Sequence, residues 1–134
     1  MIEPEALHRQ LQAMLNKSRK TLRVAERHLE EEEYDFTSSK AYYAVFHLMQ
    51  AALLTKGMTY SKHKGVIGGF SQHFIKPGLF PEEFGKLIQR LRRDREVGDY
   101  GYEMTVTAEK AAQDVQLARR MTEAIEAYLK PFVS

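Results

Sequence analysis

The stretch from Asp35 to about Lys56, DFTSSKAYYAVFHLMQAALLTK, limits the fold more than any other part of the chain. Its apolar residues do not form one stripe. Tyr42, Val45, Phe46, Met49 and Leu53 recur at helical spacing, and Ala41, Ala44, Leu48 and Ala52 cover the neighbouring face. A helix that is apolar over most of its circumference is buried on several sides. The stretch therefore reads as a central helix with other helices packed around it. One narrow polar line interrupts it: Ser39, Tyr43, His47 and Gln50 point the same way. In a bundle such a line faces water, a partner chain or a wet cleft. Asp35 is the expected N-cap, with Thr37 as its rival. Gly57 stands where a left-handed closing residue is expected.

Four further helices are read around this one. The first runs from about Pro4 to Glu31, with Leu7, Leu11, Met14, Ser18, Leu22, Ala25 and Leu29 on one stripe. Glu30 to Glu33 crowd its C-terminal end, where the helix dipole disfavours anions, so the helix stops there. A short helix spans Ser61 to about Ile75, with His63, Val66, Ile67, Phe70 and Phe74 inward. Gly65, Gly68 and Gly69 weaken it by about 1 kcal/mol each relative to Ala. The fourth runs from Pro81 to about Val97. The fifth starts near Thr107, ends before Pro131, and carries Ala108, Ala111, Val115, Ala118, Thr122, Ile125 and Leu129 inward. Met121, Tyr128 and Phe132 form a second line on it. No strand pattern, internal repeat or second domain is visible. The expected fold is all-α: an up-and-down bundle of four main helices plus a short extra one, in one domain over residues 1–134.

A chain of 134 residues can bury a real core. Without cysteine it has no disulfide framework and no thiolate metal site. No apolar run is long enough to span a membrane. The start, MIEPEALHRQ, is charged from Glu3 and lacks the apolar core of a signal peptide. A cytoplasmic location is therefore expected. The net charge of +2 is too mild to indicate nucleic acid. Its distribution says more. Lys17, Arg19, Lys20, Arg23 and Arg27 crowd the first helix, and Arg90, Arg92, Arg93 and Arg95 crowd the fourth. Each cluster is either a solvated helix face or a contact for phosphate.

The fourth helix is the most informative. Phe84, Leu87, Ile88 and Leu91 define its inner stripe, and at 100° per residue Arg95 falls within that stripe. Arg93 points away and Arg92 sits on the flank. An inward guanidinium is costly unless paired. Either Arg95 pairs with Asp99, four residues on, and locks the helix to the following loop, or it offers a planar fork to a phosphate in a cleft. His47 and His63 present a similar choice between a hydrogen-bonded core histidine and a site residue. No histidine pair has metal-ligand spacing, and no glycine-rich phosphate loop or nucleophile motif occurs. No metal or cofactor is expected.

The stretch SSKAYYAVFHLMQAALLTKGMTYSKHKGVIGGF, with the arginines and Asp-Tyr pair downstream, resembles the HEPN family and is nearest to an uncharacterised bacterial and archaeal branch of it. The residues that carry the likeness are Ser39 (or Ser38), Tyr42, Tyr43, Ala44, Phe46, His47, Ser61, His63, Arg92 or Arg95, Asp99 and Tyr100. It covers roughly Asp35 to Leu129. The resemblance implies a helical bundle that pairs as a homodimer. Many HEPN proteins are metal-independent ribonucleases or toxins of toxin–antitoxin pairs, and others accompany a small nucleotidyltransferase. Nuclease members carry Arg-x4–6-His at the end of the fourth helix. Arg95 stands at the position of that arginine, but no histidine follows it anywhere in this chain. Tyr100 occupies the place after four intervening residues, and a phenol with a pKa about 10 is a weak base at neutral pH.

The expected function is therefore binding of RNA or a nucleotide at the dimer cleft, beside a nucleotidyltransferase, with little or no hydrolysis. Arg95, Asp99 and Tyr100 are the candidate reactive residues. Arg92, Tyr43, His47 and His63 are candidate ligand-binding residues. The alternatives are an active metal-independent ribonuclease toxin, with Tyr100, Asp99 or His47 in place of the missing histidine, and a protein–protein interaction module.

Overall fold

A computed structural model of the chain describes residues 2–134. The fold is all-α, with helices α1 (Pro4–Glu30), α2 (Tyr34–Leu54), α3 (His63–Phe70), α4 (Glu83–Tyr100) and α5 (Ala108–Val133). A π-helical turn, Ser71–Ile75, extends α3. No described helix is long and apolar enough to cross a membrane.

α2 is the centre of the bundle. It packs against α1, α3, α4 and α5, and α1 also packs on α5. Ala41, Ala44, Leu48, Met49, Ala52 and Leu53 are fully buried. The alanines let α1 and α2 approach closely: the Ser18 hydroxyl of α1 donates to the Ala44 carbonyl at 2.7 Å. At the far end, Phe70, Phe74, Phe80 and Phe84 stack in series with ring centroids 5.2–5.7 Å apart, closing α3 and the π turn over α4. Phe70 and Phe74, four residues apart across the start of the π turn, both face the core.

Helix ends depart from expectation where tertiary contacts outweigh local signals. Asp35 does not cap α2. Tyr34 already begins the helix, and the Asp35 carboxylate instead accepts the Val106 N–H at 2.8 Å, tying the α4–α5 connection to α2. Nor does Thr37 cap it: its hydroxyl donates back to the Glu33 carbonyl at 2.9 Å. α3 starts at His63 rather than Ser61. α4 begins at Glu83 and continues past Val97 to Tyr100. Gly98 does not end it, because the Asp35 carbonyl packs where a Cβ would stand, 2.5 Å away, and only glycine fits. α5 runs through Pro131 to Val133. That proline lacks its own N–H and breaks one bond near the helix end. Beyond it, Phe132 lies 5.5 Å from the Tyr128 ring and Val133 packs on the core.

Two closing turns share one geometry. Gly57 (φ +73°) ends α2, with its N–H on Leu54 and the Met58 N–H on Leu53, as a Schellman closure requires. Glu32 (φ +60°) ends α1 in the same way, with its N–H on Leu29 and the Glu33 N–H on His28, although it is not glycine.

Candidate functional site

Three elements meet around Arg95: the last turns of α4, the first half of α2 and the N-terminus of α3. Arg95 continues the apolar stripe of α4 inward and is 9% exposed. Its guanidinium lies 5.2 Å from the Tyr42 ring centroid, 5.7 Å from that of Tyr43 and 5.9 Å from that of Tyr100. Extension of α4 to Tyr100 places Asp99 one turn beyond Arg95, as the four-residue spacing anticipates. The Arg95 Nη1 is 3.4 Å from Asp99 Oδ2 and 3.4 Å from the Tyr43 hydroxyl. Both contacts are longer than the 2.7–2.9 Å typical of a charge-assisted hydrogen bond. Its buried Nε has no partner among the described residues. Burial opposes the charge on Arg95, but the neighbouring Tyr43, Tyr42, Asp99 and Tyr100 outweigh it and hold its pKa above the ordinary value.

His63 joins this cluster from α3. Its Nδ1 is 2.9 Å from the Tyr42 hydroxyl, and its ring stacks on Phe46 at 4.3 Å. Burial lowers its pKa, and the charges of Arg95 and Arg92 lower it further. The ring is therefore neutral at pH 7. Burial also pushes the Tyr42 phenol up to about 12 against the pull of Arg95 and Arg92, so the hydroxyl stays protonated. Arg92 lies on the flank, its buried Nε 3.6 Å from the Glu96 carboxylate, within ion-pair range but without a hydrogen bond.

The structure thus brings together Arg95, Asp99, Tyr100, Tyr43 and His63, with Arg92 beside them. His47 is not among them. It lines a separate groove between α1 and α2, with Lys17, Lys20 and Lys40. Burial lowers its pKa first, and Lys17 and Lys40 add to the effect. Tyr43 belongs to both places, since it touches Arg95 and also borders that groove. The polar line on α2 divides accordingly. Tyr43 and His47 face the groove, Ser39 is buried, and Gln50 lines a different hollow near Tyr60.

Sequence reasoning missed the support beneath the site. Asp94 and Asp114 are 3% and 0% exposed, and they face each other between α4 and α5. The Ser38 hydroxyl donates to Asp114 Oδ2 at 2.8 Å, and Arg90 Nε lies 3.4 Å from Asp114 and 3.8 Å from Asp94. Burial raises the Asp114 pKa to about 8, as does its hydrogen bond with Asp94; Ser38 and Arg90 pull the other way. Asp114 therefore holds a proton shared with its neighbour. This cluster clamps α2, α4 and α5 together one residue from Arg95. The signal was present: each aspartate sits within an apolar stripe, Asp94 after Leu91 and Asp114 between Ala111 and Ala118.

The HEPN domain profile matches residues 11–128. The chain belongs to the HEPN family. A UPF0332 protein of Thermotoga maritima is 34% identical to this HEPN chain over 110 residues, covering 82% of this chain and 83% of the relative. A Methanocaldococcus jannaschii protein named "Putative toxin" is 31% identical over 124 residues, covering 92% of each. A second protein of that organism with the same designation is 33% identical over 103 residues, covering 77% of this chain and 70% of the relative.

Proposed function

We propose that this HEPN domain binds RNA or a nucleotide through Arg95, pairs as a homodimer, and works beside a small nucleotidyltransferase with little hydrolysis of its own. The observation that carries the binding role is the state of Arg95. Its guanidinium is buried and charged, its nearest acceptors stand at 3.4 Å, and its Nε has no partner. A buried charge so loosely paired is costly within the protein alone. A phosphate offers the planar fork two close acceptors. The Tyr43 and Tyr100 rings flank it, and Tyr100 is 71% exposed and accessible to a base for stacking. The homodimer and the nucleotidyltransferase partner rest on the family resemblance.

A second reading, metal-independent RNA cleavage by a toxin, is supported by His63. The family's histidine is absent after Arg95, but His63 reaches the same cluster from α3 and is neutral at pH 7. With Nδ1–H donating to the Tyr42 oxygen, Nε2 has a free lone pair that can take a proton from a ribose 2′-OH. Arg95 would then stabilise the charge that develops on the phosphate. Two archaeal relatives carry the word toxin in their names.

One experiment tests both readings. Wild type, Arg95→Ala and His63→Ala are mixed with an RNA pool and with labelled nucleotide in EDTA. Arg95→Ala is expected to lose binding of both ligands; unchanged binding refutes the site. Cleavage by wild type that His63→Ala abolishes, with binding intact, establishes the nuclease reading. Absence of cleavage by wild type leaves the binding role.

A further inference from the structure

The groove between α1 and α2 has a volume of about 330 Å³ and is lined by Lys17 and Lys20 of α1 and by Lys40, Tyr43 and His47 of α2. Thr21 and Val24 complete its floor, and no acidic side chain lines it. The three lysines lack acidic neighbours on their own helices. Residues three and four positions either side of Lys17 are Ala13, Met14, Lys20 and Thr21. For Lys20 they are Asn16, Lys17, Arg23 and Val24, and for Lys40 they are Phe36, Thr37, Tyr43 and Ala44. None of the three pairs with a carboxylate among the described residues, whereas Arg19, Arg119 and Arg120 of the same bundle all do. Like charges three apart on a helix are destabilising. Three unpaired ammonium groups around one concave surface are therefore an arrangement that folding alone does not favour.

Tyr43 links this surface to Arg95. Its hydroxyl contacts the Arg95 guanidinium, and its ring also borders the groove, 6.4 Å from the His47 ring. Tyr43 thus connects Arg95 and Tyr100, with Asp99 beside them, to the lysine-lined groove of Lys40, Lys17 and Lys20. A mononucleotide needs only the Arg95 end. A basic groove with an aromatic platform at one end is the arrangement that follows a single-stranded backbone and stacks its bases. We propose that the α1/α2 groove is a second phosphate site, a track for the backbone of single-stranded RNA whose neighbouring phosphate lies on Arg95. This inference rests on the RNA-binding reading of Arg95 and extends it from a nucleotide to a strand.

The test compares two probes: a 2′-O-methyl RNA of about 12 nucleotides, which resists 2′-OH-dependent cleavage and suits typical single-strand site sizes, and labelled AMP. Affinity is read by fluorescence anisotropy across a salt series. The triple variant Lys17→Gln, Lys20→Gln, Lys40→Gln is expected to bind the strand at least about tenfold more weakly. Its log-affinity against log-salt slope should fall by about 2, since each released single-strand phosphate contact contributes about 0.7. Its affinity for AMP should equal that of wild type. Unchanged strand affinity and slope in a triple variant that still binds AMP would overturn the track. Arg95→Ala separates the two ideas. If it leaves both probes unaffected while the triple variant still weakens the strand, the Arg95 reading fails and the groove stands. An equal loss of AMP and strand binding in the triple variant would also overturn the track, because the lysines would then belong to the nucleotide site.

Discussion

Replacing Asp114 with asparagine should change how stability depends on pH. In the unfolded chain this carboxyl ionises near 3.8, whereas in the fold it keeps its proton to about 8. Between these values the folded state binds one proton more than the unfolded state. Unfolding then releases a proton, and stability falls as pH rises. Each pH unit within the window costs a factor of about ten in the folding equilibrium, and the whole window amounts to about 6 kcal/mol. His47 and His63 act in the opposite sense: their folded pKa values are lowered, so their contribution is lost as pH falls below about 6.5. The carboxyl effect is therefore cleanest between about pH 7 and 8, above the histidines and still below the folded Asp114 value. In Asp114→Asn the amide oxygen can accept from Ser38 and the amide N–H can donate to Asp94 in place of the shared proton. The assay is urea unfolding at closely spaced pH values. Wild type should lose stability from about pH 7 to 8, and Asp114→Asn should be nearly flat and the more stable protein at the upper end. A wild-type curve that is flat there, or a slope that persists in Asp114→Asn, would refute the shared proton.

Four further substitutions test local geometry. Glu32→Gly should raise stability by about 1 kcal/mol, read as a higher urea midpoint, because Glu32 sits at φ +60° and places a carboxylate on the negative end of α1. Gly98→Ala should lower stability by about 1–3 kcal/mol despite a gain in helix propensity of about 1, because the added Cβ meets the Asp35 backbone oxygen. Gly85→Ala in the same helix, with nothing within 4 Å, should instead stabilise, and an equal response at the two positions would contradict the packing. Arg95→Gln should move the His63 pKa upward in an NMR titration, though not fully to its ordinary value, because burial is the larger cause of the shift. An unmoved His63 would place it away from Arg95.

The central helix was legible because its apolar residues cover nearly the whole circumference, and only a helix enclosed by others can satisfy that pattern. The inward direction of Arg95 was legible for the same reason, since helical phase from Phe84 through Leu91 fixes where a residue four positions later points. Gly57 was read correctly because a left-handed turn needs a residue without Cβ. These are local constraints, written in spacing and residue type, and the sequence alone determined them.

The site needed the tertiary structure because its members come from three helices. Nothing in the spacing of His63 connects it to Arg95, thirty-two positions away; the turn that closes α2 brings α3 back over Tyr42 and Phe46 and makes the contact. Nor does spacing separate His47 from the Arg95 cluster. His47 shares the polar line of α2 with Tyr43, which does reach Arg95, and only the position of α1 assigns His47 to the groove with Lys17 and Lys40. Asp35 reads as a helix cap, yet the α4–α5 connection claims its carboxylate for the Val106 N–H. Asp94 and Asp114 are twenty positions apart, and their shared proton exists only because α4 and α5 hold two carboxyls together away from water. The sequence thus determined which faces had to be buried, since burial follows from helical periodicity. Only the packing of helices distant in the chain decided which charges meet, since electrostatic contact depends on distance in space.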